Sequence, residues 1–156
     1  MIRTLDHSDL QALRDLAVVA RNEGFQFLDR LVAAMENETV SLDGTEEFFM
    51  CITEHGRIVG VGGITADPYA GEPDVGRIRH VYVHPNARRA GLGRDLLAAL
   101  EQRAPRTYGT LRLRTDTPAA ASFYEALGYR PIVNRHATHF KPTAAIGRFV
   151  THNEEQ

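Results

Sequence analysis

The segment from residue 75 to residue 115 constrains the fold more than any other part of this sequence. "VGRIRHVYV" alternates apolar and polar residues up to Pro85, as β-strands do, and "GTLRLRT" alternates again after Pro105. Between them lies a helix whose apolar face is formed by Leu92, Leu96, Leu97 and Leu100. A strand, a crossover helix and a second strand predict a parallel pair inside the sheet.

Two amphipathic helices are predicted near the N-terminus. The first has apolar residues at helical spacing over 10–20, after a capping box formed by Ser8 and Gln11. The second covers 27–35 with the same period. A short extended segment, "IRTL", precedes them, and the strand hairpin "FFMCITEHGRIVGVGGIT" follows an acidic loop.

A short fourth helix and two closing strands complete the predicted order. Thr117 is expected to cap this helix, with Pro118 at its first position and Gly128 at its C-terminal end. The closing strands are "YRPIV" and "ATHFKP". Since 156 residues suit one core, we expect a single domain over 1–150 and a frayed tail at 151–156.

Composition limits the classes of function. A formal net charge of −2 disfavours general attraction to nucleic acid, and no apolar run is long enough to cross a membrane. The one cysteine, Cys51, is expected to be a buried apolar side chain, and together with an N-terminus that does not resemble a secretory signal it favours a cytoplasmic location. No histidine, cysteine and carboxylate spacing is typical of a metal site.

Glycine and arginine are concentrated where the helix after "VYV" begins. The first amides of a helix lack partners and carry partial positive charge, so they favour an anion. Gly91 and Gly93 would let a phosphate approach the backbone, with arginines supplying charge around it. Neither a P-loop nor a "GxGxxG" pattern is complete, because Thr65 and Leu96 stand at the third glycine positions. A merely solvated turn is the alternative.

The stretch "VYVHPNARRAGLGRDLL" resembles the acyl-CoA-binding motif of the GNAT superfamily of N-acetyltransferases. A second stretch with the family's spacing is "AAASFYEALGY", which contains Tyr124. The residues that match the first motif are Arg88, Arg89, Ala90, Gly91, Leu92 and Gly93. The resemblance implies an α/β (α+β) fold with a mixed, mostly antiparallel sheet of about seven strands, a splayed central parallel pair and about four helices.

The resemblance also implies how acetyl-CoA would be held as acyl donor. The segment Val81, Tyr82 and Val83 would bind the pantetheine arm, and the turn through Arg94 would bind the pyrophosphate. The Val83 amide would donate to the developing oxyanion. Tyr124 would protonate the departing thiolate. Thr117 stands where relatives commonly have an asparagine that contacts the pantetheine arm, although it is also a natural helix cap.

The general base is less well defined. Relatives commonly carry a glutamate or histidine on the strand before the motif, and here Arg77 and Arg79 occupy those positions. His80 is the preferred candidate because a histidine pKa near 6.5 suits proton transfer. His84 also flanks the strand. The remaining alternatives are His139 and, acting through water, Glu72 or Asp74.

The two arginines also bear on the acceptor. If they face its site, they would favour an amine that carries a carboxylate or phosphate; the alternative is pairing with Asp74, Glu72 or CoA itself. The predicted function is transfer of an acetyl group from acetyl-CoA to a primary amine of a small molecule or peptide. A non-catalytic acyl-CoA-binding regulatory module is the alternative. The resemblance also suggests a homodimer formed through the final strands.

Overall fold

The computed structural model describes residues 1–144. Its strands and helices follow the predicted order: β1 Ile2–Thr4, α1 Leu10–Asn22, α2 Phe27–Glu36, β2 Phe48–Glu54, β3 Arg57–Ala66, β4 Val75–Val83, α3 Leu92–Arg103, β5 Thr110–Leu113, α4 Pro118–Ala126, β6 Arg130–Pro131 and β7 His139–Pro142. The predicted fold class is confirmed. The expected boundary at residue 150 and the tail at 151–156 lie outside the described residues.

The seven strands within residues 1–144 form one mixed sheet in the order β1-β2-β3-β4-β5-β7-β6. Every neighbouring pair is antiparallel except β4 and β5, which run parallel as the crossover predicts. Their paired positions extend from Val75 opposite Thr110 to Arg77 opposite Arg112. The segment of β4 from Ile78 to Val83 is therefore paired with β3 but not with β5, and this is the expected splay.

Helices cover both faces of the sheet. Leu13 of α1 and Leu28 of α2 belong to one buried cluster with Phe49 of β2. Leu97 of α3 belongs to a second cluster with Phe48. Because successive strand residues point to opposite faces, the neighbours Phe48 and Phe49 divide between the two clusters. Cys51 is fully buried in the first cluster, as predicted, and burial raises the pKa of its thiol to about 11.

The predicted capping box before α1 is wrong. Asp6, rather than Ser8, caps a short 3₁₀ turn, and the Asp9 side chain accepts the Asp6 N–H at 2.9 Å. Aspartate at this position satisfies free helix amides as well as serine does, so both patterns are compatible with the sequence. Within residues 1–144, no helix has the length and apolar character that crossing a bilayer requires.

Candidate active site

Strand β4 carries a bulge at the centre of the sheet. Val61 pairs with Tyr82, but Gly63 pairs with Arg79, so Gly62 alone faces both His80 and Val81. His80 has a φ of 59°, in the left-handed region. Such an insertion re-aims the side chains that follow it. The alternation of side chains along this strand is therefore interrupted at His80.

The bulge leads into the open edge of β4. His84 donates its amide to the Val59 carbonyl of β3 at 2.7 Å. Because successive amides of an extended strand point to opposite edges, the Val83 N–H points toward the side where β5 has separated. By the same alternation the Val81 N–H also faces that side. These two donors are available to an extended ligand that takes the place of a neighbouring strand.

The start of α3 is open to an anion. Gly91 stands before the helix with a φ of 76°, and no side chain of residues 1–144 caps the first turn. The first helical bond at this end runs from the Asp95 N–H to the Gly91 carbonyl at 3.0 Å. The amides of Leu92, Gly93 and Arg94 therefore point out of the helix without helical partners. Their partial positive charge suits a phosphate.

Close packing joins this turn to α4. A Cβ added at Gly93 would lie 3.3 Å from the Phe123 ring and 3.7 Å from a Val83 methyl group. Glycine thus lets α4 approach both the turn and the end of β4. Tyr124 follows Phe123, so the two motifs that are far apart in sequence meet at one place. That contact could not be deduced from either motif alone.

Arg88 is held by an ion pair that the sequence did not reveal. Its guanidinium donates to the two carboxylate oxygens of Glu23 at 2.6 and 3.1 Å, and its Nε donates to the Val83 carbonyl at 3.0 Å. The Tyr82 hydroxyl donates to the same carboxylate. These bonds keep the pKa of Glu23 below its usual value. Glu23 therefore ties the end of α1 to the glycine turn.

The other arginines of the turn are freer. Arg89 is exposed and has a φ of 73°. Arg94 is exposed, and its only ion pair among the described residues is a 3.8 Å contact with its neighbour Asp95. Exposed pairs of this kind are weak. Both side chains can turn toward an anion with little loss of existing contacts.

Tyr124 is buried on α4, next to the Phe123 that packs on the glycine turn. Its ring packs against Phe123 and Tyr129, with centroid separations of 5.1 and 5.6 Å. Burial raises its pKa well above the usual tyrosine value. Its hydroxyl makes no hydrogen bond within the described part of the chain, which leaves its proton available to a ligand.

His80 lies on the side of the sheet covered by α2. Its Nδ1 lies 3.0 Å from the Phe27 carbonyl, an arrangement that requires Nδ1 to carry the proton and donate. Phe27 and Phe49 flank the ring, with centroids 6.5 and 6.0 Å away. Burial lowers the pKa of His80 to about 4. The ring is therefore neutral at pH 7, with Nε2 as its acceptor, but it is a weaker base than an ordinary histidine.

The alternative bases have structural contacts. The His84 ring accepts the Asn86 N–H at 3.0 Å, and His139 lies 2.8 Å from a Glu125 carboxylate oxygen. Asp74 accepts the Gly109 N–H at 2.9 Å and so anchors the start of β5. Glu72 is exposed.

Thr117 caps α4 as expected. Its hydroxyl oxygen accepts the Ala120 N–H at 3.2 Å, and Pro118 occupies the first helical position. The hydroxyl proton is not needed for the cap, because the oxygen acts there as acceptor. A contact between Thr117 and a pantetheine arm stays a prediction.

Arg77 pairs with neither of the acids expected from the sequence. Its guanidinium lies 3.4 Å from the buried Asp67 carboxylate and 5.2 Å from the centre of the Tyr69 ring. Tyr69 stacks on His136 with a centroid separation of 4.1 Å. These contacts join the β3–β4 loop to the β6–β7 loop. No sequence motif marks Asp67 or His136, because only the folded loops bring them together.

The chain is similar to acetyltransferases of known family and structure. The profile of the acetyltransferase (GNAT) family matches residues 10–129. A protein from Exiguobacterium sp. 255-15, provisionally named an acetyltransferase, has a TM-score of 0.80 and 27% identity, over 96% of this chain and 97% of its own.

Two further structures share the fold. The yncA protein of Salmonella typhimurium, provisionally named an acetyltransferase and solved with acetyl-CoA, has a TM-score of 0.66 and 21% identity, over 90% of this chain and 88% of its own. The ribosomal-protein-S18-alanine N-acetyltransferase of Escherichia coli has a TM-score of 0.61 and 21% identity, over 90% of this chain and 88% of its own.

The fold, with an open strand edge beside a glycine turn, is that of an acyltransferase. The chain belongs to the acetyltransferase (GNAT) family, since the matched segment covers most of its length. The predicted resemblance and the predicted acetyltransferase class are confirmed. Use of an acyl-CoA and of an amine acceptor is characteristic of this family.

Proposed function

We propose that the protein transfers an acetyl group from acetyl-CoA to a primary amine of a small molecule or peptide. The observation that carries this proposal is the unpaired edge of β4 beyond Arg77, which leads directly to the uncapped start of α3. An extended arm can bond along that edge while a pyrophosphate meets the helix amides. The buried Cys51 is compatible with a cytoplasmic protein.

The residues present fit acetyl-CoA. Val81, Tyr82 and Val83 would bind the pantetheine arm through their backbone, since the Tyr82 ring packs toward Phe25 and Phe27 instead. The pyrophosphate would lie against the turn residues Arg88, Arg89, Ala90, Gly91, Leu92, Gly93 and Arg94. Gly91 supports this because a larger side chain in its left-handed conformation, with φ 76°, would be strained.

Acetyl-CoA, when bound, supplies a thioester whose carbonyl carbon an amine can attack. The Val83 N–H faces the open edge and would donate to the carbonyl oxygen as negative charge develops there. This donor is fixed by the bond from the His84 N–H to Val59, so it needs no rearrangement at the moment of reaction. The strand thus both orients the arm and stabilises charge.

Tyr124 would supply the proton to the leaving thiolate. Its raised pKa keeps the phenol protonated throughout the neutral range, and its hydroxyl has no competing partner among the described residues. Donation from a phenol to a thiolate is uphill by at least about 2 kcal/mol from the ordinary pKa values of ~10 and ~8.5. The raised pKa of Tyr124 makes this cost larger than the ordinary values give, and a positioned donor, which contributes roughly 10²- to 10⁴-fold in rate, offsets part of it.

His80 would accept the amine's proton through Nε2, directly or through water. Because its pKa is lowered to about 4, the His80 ring is in the free-base form at neutral pH. The same low pKa means that the ring binds the amine's proton only weakly. The neighbouring arginines add to this arrangement, because positive charge disfavours the ammonium form of an incoming amine. The amine is therefore expected to react as the neutral base.

The test is Tyr124→Phe compared with Tyr108→Phe. Tyr108 is also buried, and its hydroxyl donates to the Glu46 carbonyl at 2.5 Å, away from the open edge. In a screen of amines that measures CoA release, Tyr124→Phe should lose roughly 100-fold or more in turnover, with acetyl-CoA binding retained. Tyr108→Phe should keep its turnover. Full turnover in Tyr124→Phe would show that the acid is assigned wrongly.

The same screen separates the enzyme from a regulatory module. An acyl-CoA-binding module would bind acetyl-CoA at the turn and release no CoA with any amine. Calorimetric binding of acetyl-CoA together with zero turnover across the whole amine library would therefore contradict the proposed function.

A further inference from the structure

A row of arginines crosses the sheet beside the open edge of β4. Arg77 of β4 is paired in register with Arg112 of β5, Arg112 with Phe140 of β7, and Phe140 with Arg130 of β6. Side chains at paired positions share a face of the sheet. Arg79 lies two residues beyond Arg77 and therefore shares that face too.

This face is the one on which α1 and α2 pack. Arg79 is paired with Gly63, and a Cβ at Gly63 would clash with the Phe49 ring. Phe49 belongs to the apolar cluster of α1 and α2. The packing of these helices is on β3 and β4. Farther along the same face, Arg112 is partly exposed and Arg130 is exposed, so the row runs from a covered region to solvent.

Positive charge on this face is poorly compensated. Two carboxylates, those of Asp67 and Glu47, act electrostatically on Arg79. Asp67 forms its ion pair with Arg77. Glu47 accepts the Ser41 N–H at 2.7 Å. Arg79 and Arg112 make no ion pair with any carboxylate in residues 1–144. Within the described part of the chain, two arginines beside the proposed acetyl-transfer site are thus without anionic partners.

Arg79 has one further unusual feature. Its Nε is buried and has no hydrogen-bond partner among the described residues. A buried polar donor without a partner is costly, so native proteins rarely keep one unless a ligand uses it. Burial and the charge of Arg77 also lower the pKa of Arg79 from its ordinary value.

The spacing along β4 suits a small ligand. Arg79 and Val83 pair with Gly63 and Gly60 of β3, so their Cα atoms are about 10 Å apart at ~3.4 Å per residue. An arginine side chain can span much of that distance. A molecule whose anion and amine are separated by a few bonds could therefore contact Arg79 while its amine lies near the Val83 N–H.

We propose that the acceptor is a small amine that also carries a carboxylate or a phosphate, and that Arg79, assisted by Arg112, binds this anion. The inference rests on the proposed acetyl transfer and adds the chemical class of its acceptor. Both anions accept paired hydrogen bonds from the fork of a guanidinium. Arg77 plays a different part, because Asp67 and Tyr69 already hold its guanidinium.

The test compares matched acceptors. One set contains ω-amino carboxylic acids, a second their primary amides, and a third the aminoalkyl phosphates of the same chain lengths. Wild-type kcat/KM should be at least about 10-fold higher for a charged acceptor than for the amide of the same length. The first and third sets show which anion is preferred. Equal or better use of the amides would overturn the proposal.

Arg79→Gln provides the second arm, with Arg57→Gln as its control. Arg57 is an exposed arginine at the start of β3. Arg79→Gln should lower kcat/KM for the charged acceptor about 10- to 100-fold and change that for the amide less than 2-fold. Arg57→Gln should change neither. An unchanged ratio of charged to neutral acceptor in Arg79→Gln would overturn the assignment of Arg79.

Two measurements keep the outcome independent of folding and of turnover. The melting temperature of Arg79→Gln should equal or exceed that of the wild type, because the lost Nε makes no internal bond; a lower value would show that Arg79 serves the fold instead. Calorimetry should detect binding of the N-acetylated acid but not of its amide. A protein that acetylates amines without preferring anions fails this inference alone, whereas one that releases no CoA fails the proposed function.

Discussion

The two halves of the site are built from different groups. On the proposed donor side, the groups that would face acetyl-CoA are backbone amides, at Val83 and at the start of α3, and glycines leave space beside them. On the proposed acceptor side they would be long side chains, Arg79 of β4 and Arg112 of β5. Binding to backbone amides is disrupted by a substitution that adds side-chain atoms beside them, whereas binding to arginine side chains is weakened by a substitution that removes their charge. The halves should therefore respond to opposite kinds of substitution.

The largest effect is expected at Gly91. Gly91→Glu places a negative side chain in a strained left-handed conformation, with φ 76°, where a pyrophosphate would bind. The dissociation constant of acetyl-CoA should rise by roughly 100-fold or more. Gly56→Glu is the matched control, because Gly56 has the same φ of 76° and lies in the β2–β3 turn. If both variants bind equally well, the donor half does not include the turn.

A smaller effect is expected at His80, between the two halves. Its pKa of about 4 in the folded protein lies below the ordinary 6.5, so the unfolded chain binds more protons between these values. Above pH 6.5 His80 is neutral in both states and does not lower the unfolding free energy. As the pH drops from 6.5 toward 4, the unfolded chain is protonated first, so the unfolding free energy falls. In His80→Asn this fall in the unfolding free energy should be smaller than in the wild type by up to about 2 kcal/mol. The figure allows for the partial exposure of the His80 ring.

His55→Asn is the control for that measurement. His55 is exposed and has a φ of 52°, close to the 59° of His80, and asparagine tolerates this conformation well. Urea unfolding at pH 4 to 7 should show the same slope with pH for His55→Asn and the wild type. If the unfolding free energy of His80→Asn has the same slope with pH as that of the wild type, the His80 ring is solvated rather than buried.

The difference between the halves also explains what could be predicted from the sequence. Gly91, Thr117 and the leucine face of α3 are local signals, because the neighbouring residues alone determine a turn, a cap or a helical stripe. The parallel pair follows from a local crossover as well. From these local features the sequence predicts the fold and the position of the proposed donor half. The roles of individual donor-side residues stay predictions.

The acceptor half depends on long-range register. That Arg77, Arg112 and Arg130 form a row requires four strands to pair at particular positions, which no local pattern specifies. The bulge at His80 has the same origin, since it is a shift in the pairing of β4 with β3. The ion pair of Glu23 with Arg88 likewise joins residues far apart in the sequence. Such contacts arise from the whole fold.

Amide hydrogen exchange along β4 tests the open edge most directly. The His84 amide is bonded to Val59 and should exchange slowly with or without ligand, whereas the Val83 amide faces the separated strand. In the free protein Val83 should exchange fast, and saturating acetyl-CoA should slow it by at least about 10-fold while His84 is unchanged. A Val83 amide that is protected without ligand, or that acetyl-CoA does not affect, would contradict the account.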